Sequence, residues 1–308
     1  MKGFKESAFR ALTFLFKHTV GRGLGRIPFT RKLYNYLYRS LVVDELILTV
    51  QGSKMITRVS NDDGVSYQLL FYRSGLEKYE TKLFKKLVTR GMTVVDVGAN
   101  IGYYTLLAAR LVGNEGKVFA FEPEPQNHVL LLRNIELNGY RNVVPVRKAV
   151  SSKTGTADLF LNRETGAHSF LRDRQDIIGV TTVETVSLDE YFKDRELPIG
   201  IIKIDVEGAE LSVLQGMRNI IRKNENLKIF TELFWPASAQ KAGFSPQRYW
   251  DNLVKFGFKF IYLINDTEQR MELTDLPSLV RYGEKRSAAK LPSPNLLCSK
   301  MPIEVSGN

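Results

Sequence analysis

Cysteine is almost missing from this chain of 308 residues, with Cys298 alone, and histidine is scarce, with His18, His128 and His168. A single thiol forms neither an internal disulfide nor a multi-cysteine zinc centre, and three scattered histidines do not make a histidine-rich metal cluster. The default compartment is a reducing one, most simply the cytoplasm. Long apolar runs are also lacking. No stretch of eighteen apolar residues occurs, so no spanning helix is expected, and residues 11–16 are too short for a secretory core and are bracketed by Arg10 and Lys17.

What is present is enough for a sizeable core: 44% of residues are hydrophobic and 25% charged. The net charge of +11 is concentrated. Residues 1–40 carry Lys2, Lys5, Arg10, Lys17, Arg22, Arg26, Arg31, Lys32 and Arg39 against Glu6, so most of the excess belongs to one leader rather than to a face that could grip a phosphate backbone. Nucleic acid is therefore a secondary hypothesis.

Composition and period divide the chain into a basic helical leader (1–40), a small β-rich entry region (41–78) and an α/β body (79–308). Phe4, Ala8, Ala11, Leu12 and Leu15 fall at helical spacing among cations; such a helix either packs its stripe on the body or lies on an anionic membrane surface. Gly21, Gly23, Gly25 and Pro28 end it, and a second helical stretch follows at 32–41. Leu46 to Val50, Met55 and Ile56, and Tyr67 to Phe71 read as short antiparallel strands. After a helix at 77–88, strand, turn and helix repeat. Strands are expected at 93–97, 117–122, 143–147, 201–205, 227–233, 259–263 and 295–299, and helices at 103–111, 126–137, 210–215 and 246–256. That alternation predicts a doubly wound, mostly parallel sheet, which binds ligands at the carboxyl ends of its strands.

The most informative segment runs from Val94 to Gly102, a strand leading through a glycine-containing turn into a helix. Gly98 and Gly102 permit tight geometry and close approach of a ligand, and the amides opening the helix are donors. Glu122, closing the next strand, stands where an acidic residue accepts both hydroxyls of a ribose. That much also fits NAD. Asp96 discriminates, because a carboxylate beside the turn repels a pyrophosphate but suits an ammonium and a sulfonium. Asn100 also replaces the middle glycine of a dinucleotide fingerprint. S-adenosylmethionine is favoured.

The sequence here resembles the FkbM family of S-adenosylmethionine-dependent methyltransferases. The likeness is carried by VVDVGANIGYYTL (94–106), VFAFEPEP (118–125), KAVSSKTGT (148–156), TVSLDEY (185–191) and IIKIDVEGAELSVLQG (201–216), in the family's order. It implies an α/β class I methyltransferase (Rossmann-like) sheet of seven strands with the last antiparallel, and methyl transfer to a hydroxyl of a small molecule or glycan. By the same resemblance Asp96, Gly98, Ala99, Asn100 and Gly102 surround the amino-acid part of the cofactor, Glu122 holds its ribose, and Ala149 edges the adenine.

The acceptor side is expected along Ile201 to Glu210. Lys203 and Asp205 share a face by period two, and Asp205 and Glu207 come at the strand end. Asp205 could deprotonate an acceptor hydroxyl, Lys203 could lower its pKa, and a divalent ion on Asp205 and Glu207 is possible, though no metal site is assigned. The structural alternative is a buried lysine–carboxylate pair that fixes the loop, with Glu210 serving the helix dipole. His168, in a polar stretch, is a second candidate base. Glu232 and Trp235 end the following strand on the same rim. No Pro-Cys pair or Asp/Asn-Pro-Pro-aromatic tetrapeptide points to base methylation, leaving oxygen as the acceptor. An NAD-dependent oxidoreductase and a non-catalytic membrane-surface scaffold are the alternatives.

Overall fold

The computed structural model describes residues 43–58, 77–163, 168–170, 177–233, 245–289 and 291–304, with isolated positions before residue 70. The chain divides into two compact units, Met1–Leu76 and Glu77–Asn308. In the first, β1 (Glu45–Val50) and β2 (Ser53–Arg58) form the expected antiparallel hairpin. Its two-residue turn, Gln51-Gly52, has positive φ at both positions, the geometry that matches strand twist. Leu46, Leu48 and Val50 alternate with exposed residues and are buried. Of the leader helix, Lys5, Ser7 to Phe9, Ala11 and Leu12 are described, all helical; the glycine break, most of the second helix and most of the strand expected at 67–71 lie outside the described residues, and Leu69, the described position of that expected strand, is helical instead.

The second unit is built on an eight-stranded sheet in the order β12-β11-β13-β10-β9-β3-β4-β5. These strands are β3 (Thr93–Val97), β4 (Lys117–Phe121), β5 (Val143–Val146), β9 (Ile199–Ile204), β10 (Lys228–Glu232), β11 (Phe260–Asn265), β12 (Arg270–Leu273) and β13 (Asn295–Ser299). From β5 to β10 all neighbours are parallel, while β13 runs antiparallel between β10 and β11. This is the class I methyltransferase sheet. The expected seven strands are extended by β12, a short exposed strand hairpinned onto β11. Chain order reverses between β3 and β9, so the switch-point crevice opens at their carboxyl ends.

The helices are α1 (Lys78–Leu87), α2 (Tyr103–Val112), α3 (Pro125–Leu137), α4 (Leu188–Tyr191), α5 (Glu210–Gln215), α6 (Arg218–Lys223), α7 (Pro246–Lys255) and α8 (Leu276–Ala288). Local chemistry fixes several starts. The Glu124 side chain accepts from Asn127 N at 2.6 Å with Pro125 in the first turn, and Asp275 accepts from Ser278 N at 2.8 Å. β3 is buried along its whole length, as a central parallel strand covered on both faces must be. Val95, Val97, Ile202, Ile204, Val213, Leu214 and Leu253 contribute to one core, each worth about 1.5–3 kcal/mol on burial.

A second sheet goes beyond the elements expected from sequence. β6 (Ala149–Val150), β7 (Gly155–Asn162) and β8 (Ile177–Val186) pair in the order β6-β8-β7. They fill the stretch between β5 and β9, and the bridge Phe160 to Ser169 extends them toward the polar segment that holds His168.

Candidate active site

The turn after β3 is tied to its neighbour before any ligand is considered. Gly98 N and Ala99 N both donate to Phe121 O, at 3.0 and 2.9 Å. Gly98, Asn100 and Gly102 have positive φ (86°, 50° and 101°). At Gly98 the requirement is twofold, since a Cβ there would stand 1.8 Å from the Asp205 carbonyl oxygen. The two loops are thus packed main chain against main chain, and Asp205 N donates back to Val97 O at 2.9 Å.

Glu122 is buried beneath this turn. Its Oε2 accepts from Asn100 N at 2.8 Å and its Oε1 from Glu124 N at 2.9 Å. Burial pushes its carboxyl up to about 8 although the two amides draw it down. Asp96 accepts from Thr105 Oγ1 at 2.6 Å and is raised by burial to about 6. In both, burial outweighs the hydrogen bonds that favour the ionised form, and a positive charge brought nearby would favour ionisation. His128, on the first turn of α3, is a site neighbour that sequence reasoning did not single out: it hydrogen-bonds the main chain of Glu122, and its buried Nδ1 has no hydrogen-bond partner. Its helical position just after an acidic strand end was the available signal. Ala149 is placed differently from expectation. Its methyl packs with Leu159 and Val183 in the core of the second sheet, where β6 pairs with β8.

The neighbouring strand end gathers acids. Asp205, Glu207 and Glu232 each offer a carboxylate oxygen within 4.8 Å of the others, and all three are partly exposed. Burial, then the charges of Asp205, Glu207 and Glu77, push Glu232 well above the usual carboxylate range. Glu207 and Gly208 have φ of 53° and 108°, and the turn is clamped: Ser169 Oγ donates to Glu207 O at 2.6 Å and Gly208 N to Glu210 Oε1 at 2.9 Å. Glu210 is enclosed and raised to about 8 by burial, as a loop-fixing residue would be.

Lys203 stands as the structural alternative has it, a buried lysine among carboxylates, and His168 is engaged through a ring nitrogen. Lys203 is fully enclosed, so it meets carboxylates and has no surface for an acceptor. Its ammonium stays charged, since the surrounding carboxylates outweigh the cost of burial. His168 Nδ1 accepts from Asn162 N at 3.0 Å. In neutral imidazole that leaves Nε2 protonated, a donor, so the ring has no free lone pair with which to act as base. The sequence does bring its neighbour Ser169 to the acidic turn. Trp235 lies outside the described residues.

The donor set fits S-adenosylmethionine: enclosed acids for an ammonium, a sulfonium and a diol, a glycine turn closed by main chain, and an unpaired buried acceptor beside Glu122. Comparison with known proteins agrees. The Methyltransferase FkbM domain matches residues 96–260, just over half of the chain. The hexuronic acid methyltransferase AglP of Haloferax volcanii is 33% identical over 130 residues, 41% of this chain and 50% of AglP. Methyltransferase sdnD of Sordaria araneosa is 30% identical over 155 residues, 40% of this chain and 60% of sdnD. The chain thus spans about half to three fifths of the length of these relatives. The crystal structure of methyltransferase FkbM from Methylobacillus flagellatus superposes with a TM-score of 0.41 and 15% identity, over 76% of this chain and 53% of that one. Because the matched segment opens on Asp96 and runs through both acid-bearing strand ends, the chain belongs to the FkbM family of S-adenosylmethionine-dependent methyltransferases.

Proposed function

We propose that the chain methylates a neutral hydroxyl of a small molecule or glycan, with Asp205 as the proton acceptor and residues 79–308 as the catalytic domain. The observation that carries this reading is the placement of Asp205. Its carboxylate is about one-third exposed, while its main chain abuts the cofactor turn at Gly98. The printed activity of AglP favours a sugar acceptor. A free hexuronate carboxylate is less suited to this rim, because Glu207 and Glu232 stand beside Asp205 and like charges repel.

When bound, S-adenosylmethionine supplies an electrophilic methyl on a sulfonium that leaves as a neutral thioether. The protein's share is orientation and one proton. Asp96 and Glu122 hold the amino-acid and ribose parts. The Gly98 turn would lie against the bound cofactor, and Asp205 would take the proton of the acceptor hydroxyl. Orientation of this kind is worth on the order of 7 kcal/mol or more, and a placed base about a hundredfold or more. The acids at Asp205, Glu207 and Glu232 could also take a divalent cation, which would polarise the same hydroxyl.

The test is transfer of isotopic methyl from labelled S-adenosylmethionine into cell extract, neutral oligosaccharides and hexuronate-bearing oligosaccharides, read by mass spectrometry. Label at hydroxyls of neutral sugars is the expected result; label confined to carboxylates as methyl esters would sink the hydroxyl reading. Membership of the family sets the oxidoreductase alternative aside. A membrane-surface position for residues 1–40 is part of the proposal, tested by co-sedimentation with anionic vesicles with and without that segment. Among the described residues no helix is long and apolar enough to cross a membrane.

A further inference from the structure

Lys203 shares its charge among three carboxylates at unequal distances. Glu80 Oε1 lies 3.0 Å from the ammonium, Asp205 Oδ2 3.5 Å and Glu77 Oε2 4.0 Å, and the Tyr104 ring centroid is 5.1 Å away. The nearest partner, Glu80, is as enclosed as the lysine. A buried ammonium needs close anionic or polar partners, so removing one drives it onto those that remain. With Glu80 in place the cation is drawn inward, and Asp205 keeps a carboxylate that reaches the rim.

Glu80 is itself held. It sits on the buried face of α1, the Tyr104 hydroxyl lies 3.3 Å from its Oε1 and donates to Glu77 Oε2 at 3.0 Å, and Asn295 Nδ2 donates to Glu77 Oε1 at 2.6 Å. α1 precedes residue 96 and β13 follows residue 260. The lysine's nearest partner, Glu80, with Glu77 and Asn295, therefore lies outside the segment that the family model matches, while Asp205 and Tyr104 lie within it.

We propose that Glu80 is a positioning residue for methyl transfer: its carboxyl oxygen holds the Lys203 ammonium back from Asp205 and so keeps the Asp205 carboxylate turned toward the acceptor. This inference rests on the methyl-transfer reading above. Without that oxygen the ammonium closes on Asp205 and draws it inward, while the cofactor turn, fixed by Phe121 and Val97, is unaffected.

The experiment compares the full chain with Glu80→Leu, Glu80→Gln, Asp205→Asn and the Glu80→Leu/Asp205→Asn pair. Three quantities are measured: the initial rate of label transfer into a fixed amount of the extract fraction that the unaltered chain methylates, the calorimetric affinity for S-adenosylmethionine, and the melting temperature. Glu80→Leu is expected to slow transfer about tenfold or more, with cofactor affinity within about twofold. Glu80→Gln keeps an oxygen for the ammonium and restores most of the rate. The double variant is no slower than Asp205→Asn alone, because the residue acts through Asp205. Losses that multiply in the double variant, or a Gln variant as slow as Leu, overturn the proposal. If Glu80→Leu does not fold, Tyr104→Phe, which removes the hydroxyl beside Glu77 and Glu80, takes its place in the same cycle. An unaltered chain that transfers label to no extract overturns the methyl-transfer reading itself, and this proposal with it.

Discussion

Two adjacent strand ends carry acids in opposite conditions. At β3 and β4, Asp96 and Glu122 are enclosed and have fixed partners, a threonine hydroxyl and two main-chain amides. At β9 and β10, Asp205, Glu207 and Glu232 are half-buried and crowded, with Lys203 shared behind them. Fixed, enclosed acids are suited to holding a ligand of one shape; partly exposed, mutually repelling acids are suited to taking up a proton or a cation. On the proposed reading the contrast separates binding from turnover, and substitutions should separate them too.

The largest effect is expected where the two ends meet. Gly98→Ala puts a methyl into the Asp205 carbonyl and should cost about 2 kcal/mol or more, with cofactor binding lost, as a melting curve and calorimetry would show. Next comes Asp205→Asn, which should slow methyl transfer about a hundredfold while leaving cofactor affinity within about twofold. A parallel loss of affinity would erase the proposed division. Glu122→Gln should do the reverse. The amide can serve only one of the two backbone donors with its oxygen, so cofactor affinity falls about tenfold and the rate at saturating cofactor changes little.

A smaller, pH-dependent effect follows from the raised acids. Asp96 and Glu122 titrate near 6 and 8 in the ligand-free fold, above their unfolded values. Their contribution to stability is therefore complete in acid and lost as pH rises through those values. A cationic ligand binds the ionised forms better, so cofactor affinity should climb several-fold from about pH 6 to 8, with proton release seen as buffer-dependent calorimetric heats. A flat affinity with no proton exchange would contradict ionisation of these two acids on cofactor binding. The smallest change is expected from His168→Asn, less than about threefold in rate, because the ring nitrogen that would act as base is already bonded to Asn162.

The proposed cofactor side is legible in the sequence because its determinants are local. Asp96, Gly98, Gly102 and Glu122 lie within one β-α-β passage, and spacing alone puts the two acids on neighbouring strand ends. The acceptor side was legible only in composition. Period two set Lys203 beside Asp205, but the lysine's nearest partner comes from α1, far back in the chain, and no local pattern reports such a contact. The second sheet was missed for a related reason. Its long strands carry short polar residues such as Thr156, Asp158, Thr181 and Thr182, so the alternation that marks a half-buried strand is faint. β12 is four residues, mostly exposed, and its alternation of Met271 and Leu273 with charged residues is too short to mark a strand.

The contact of Gly98 with the Asp205 carbonyl makes the backbone a ruler. On the proposed reading, the distance between the turn that would hold the methyl donor and the main chain that carries the proton acceptor is set by two packed turns, so acceptors of quite different outline would all have to present their oxygen at the same height. Choice of acceptor would then fall to the outer walls of the crevice, with the gauge set by the main chain alone.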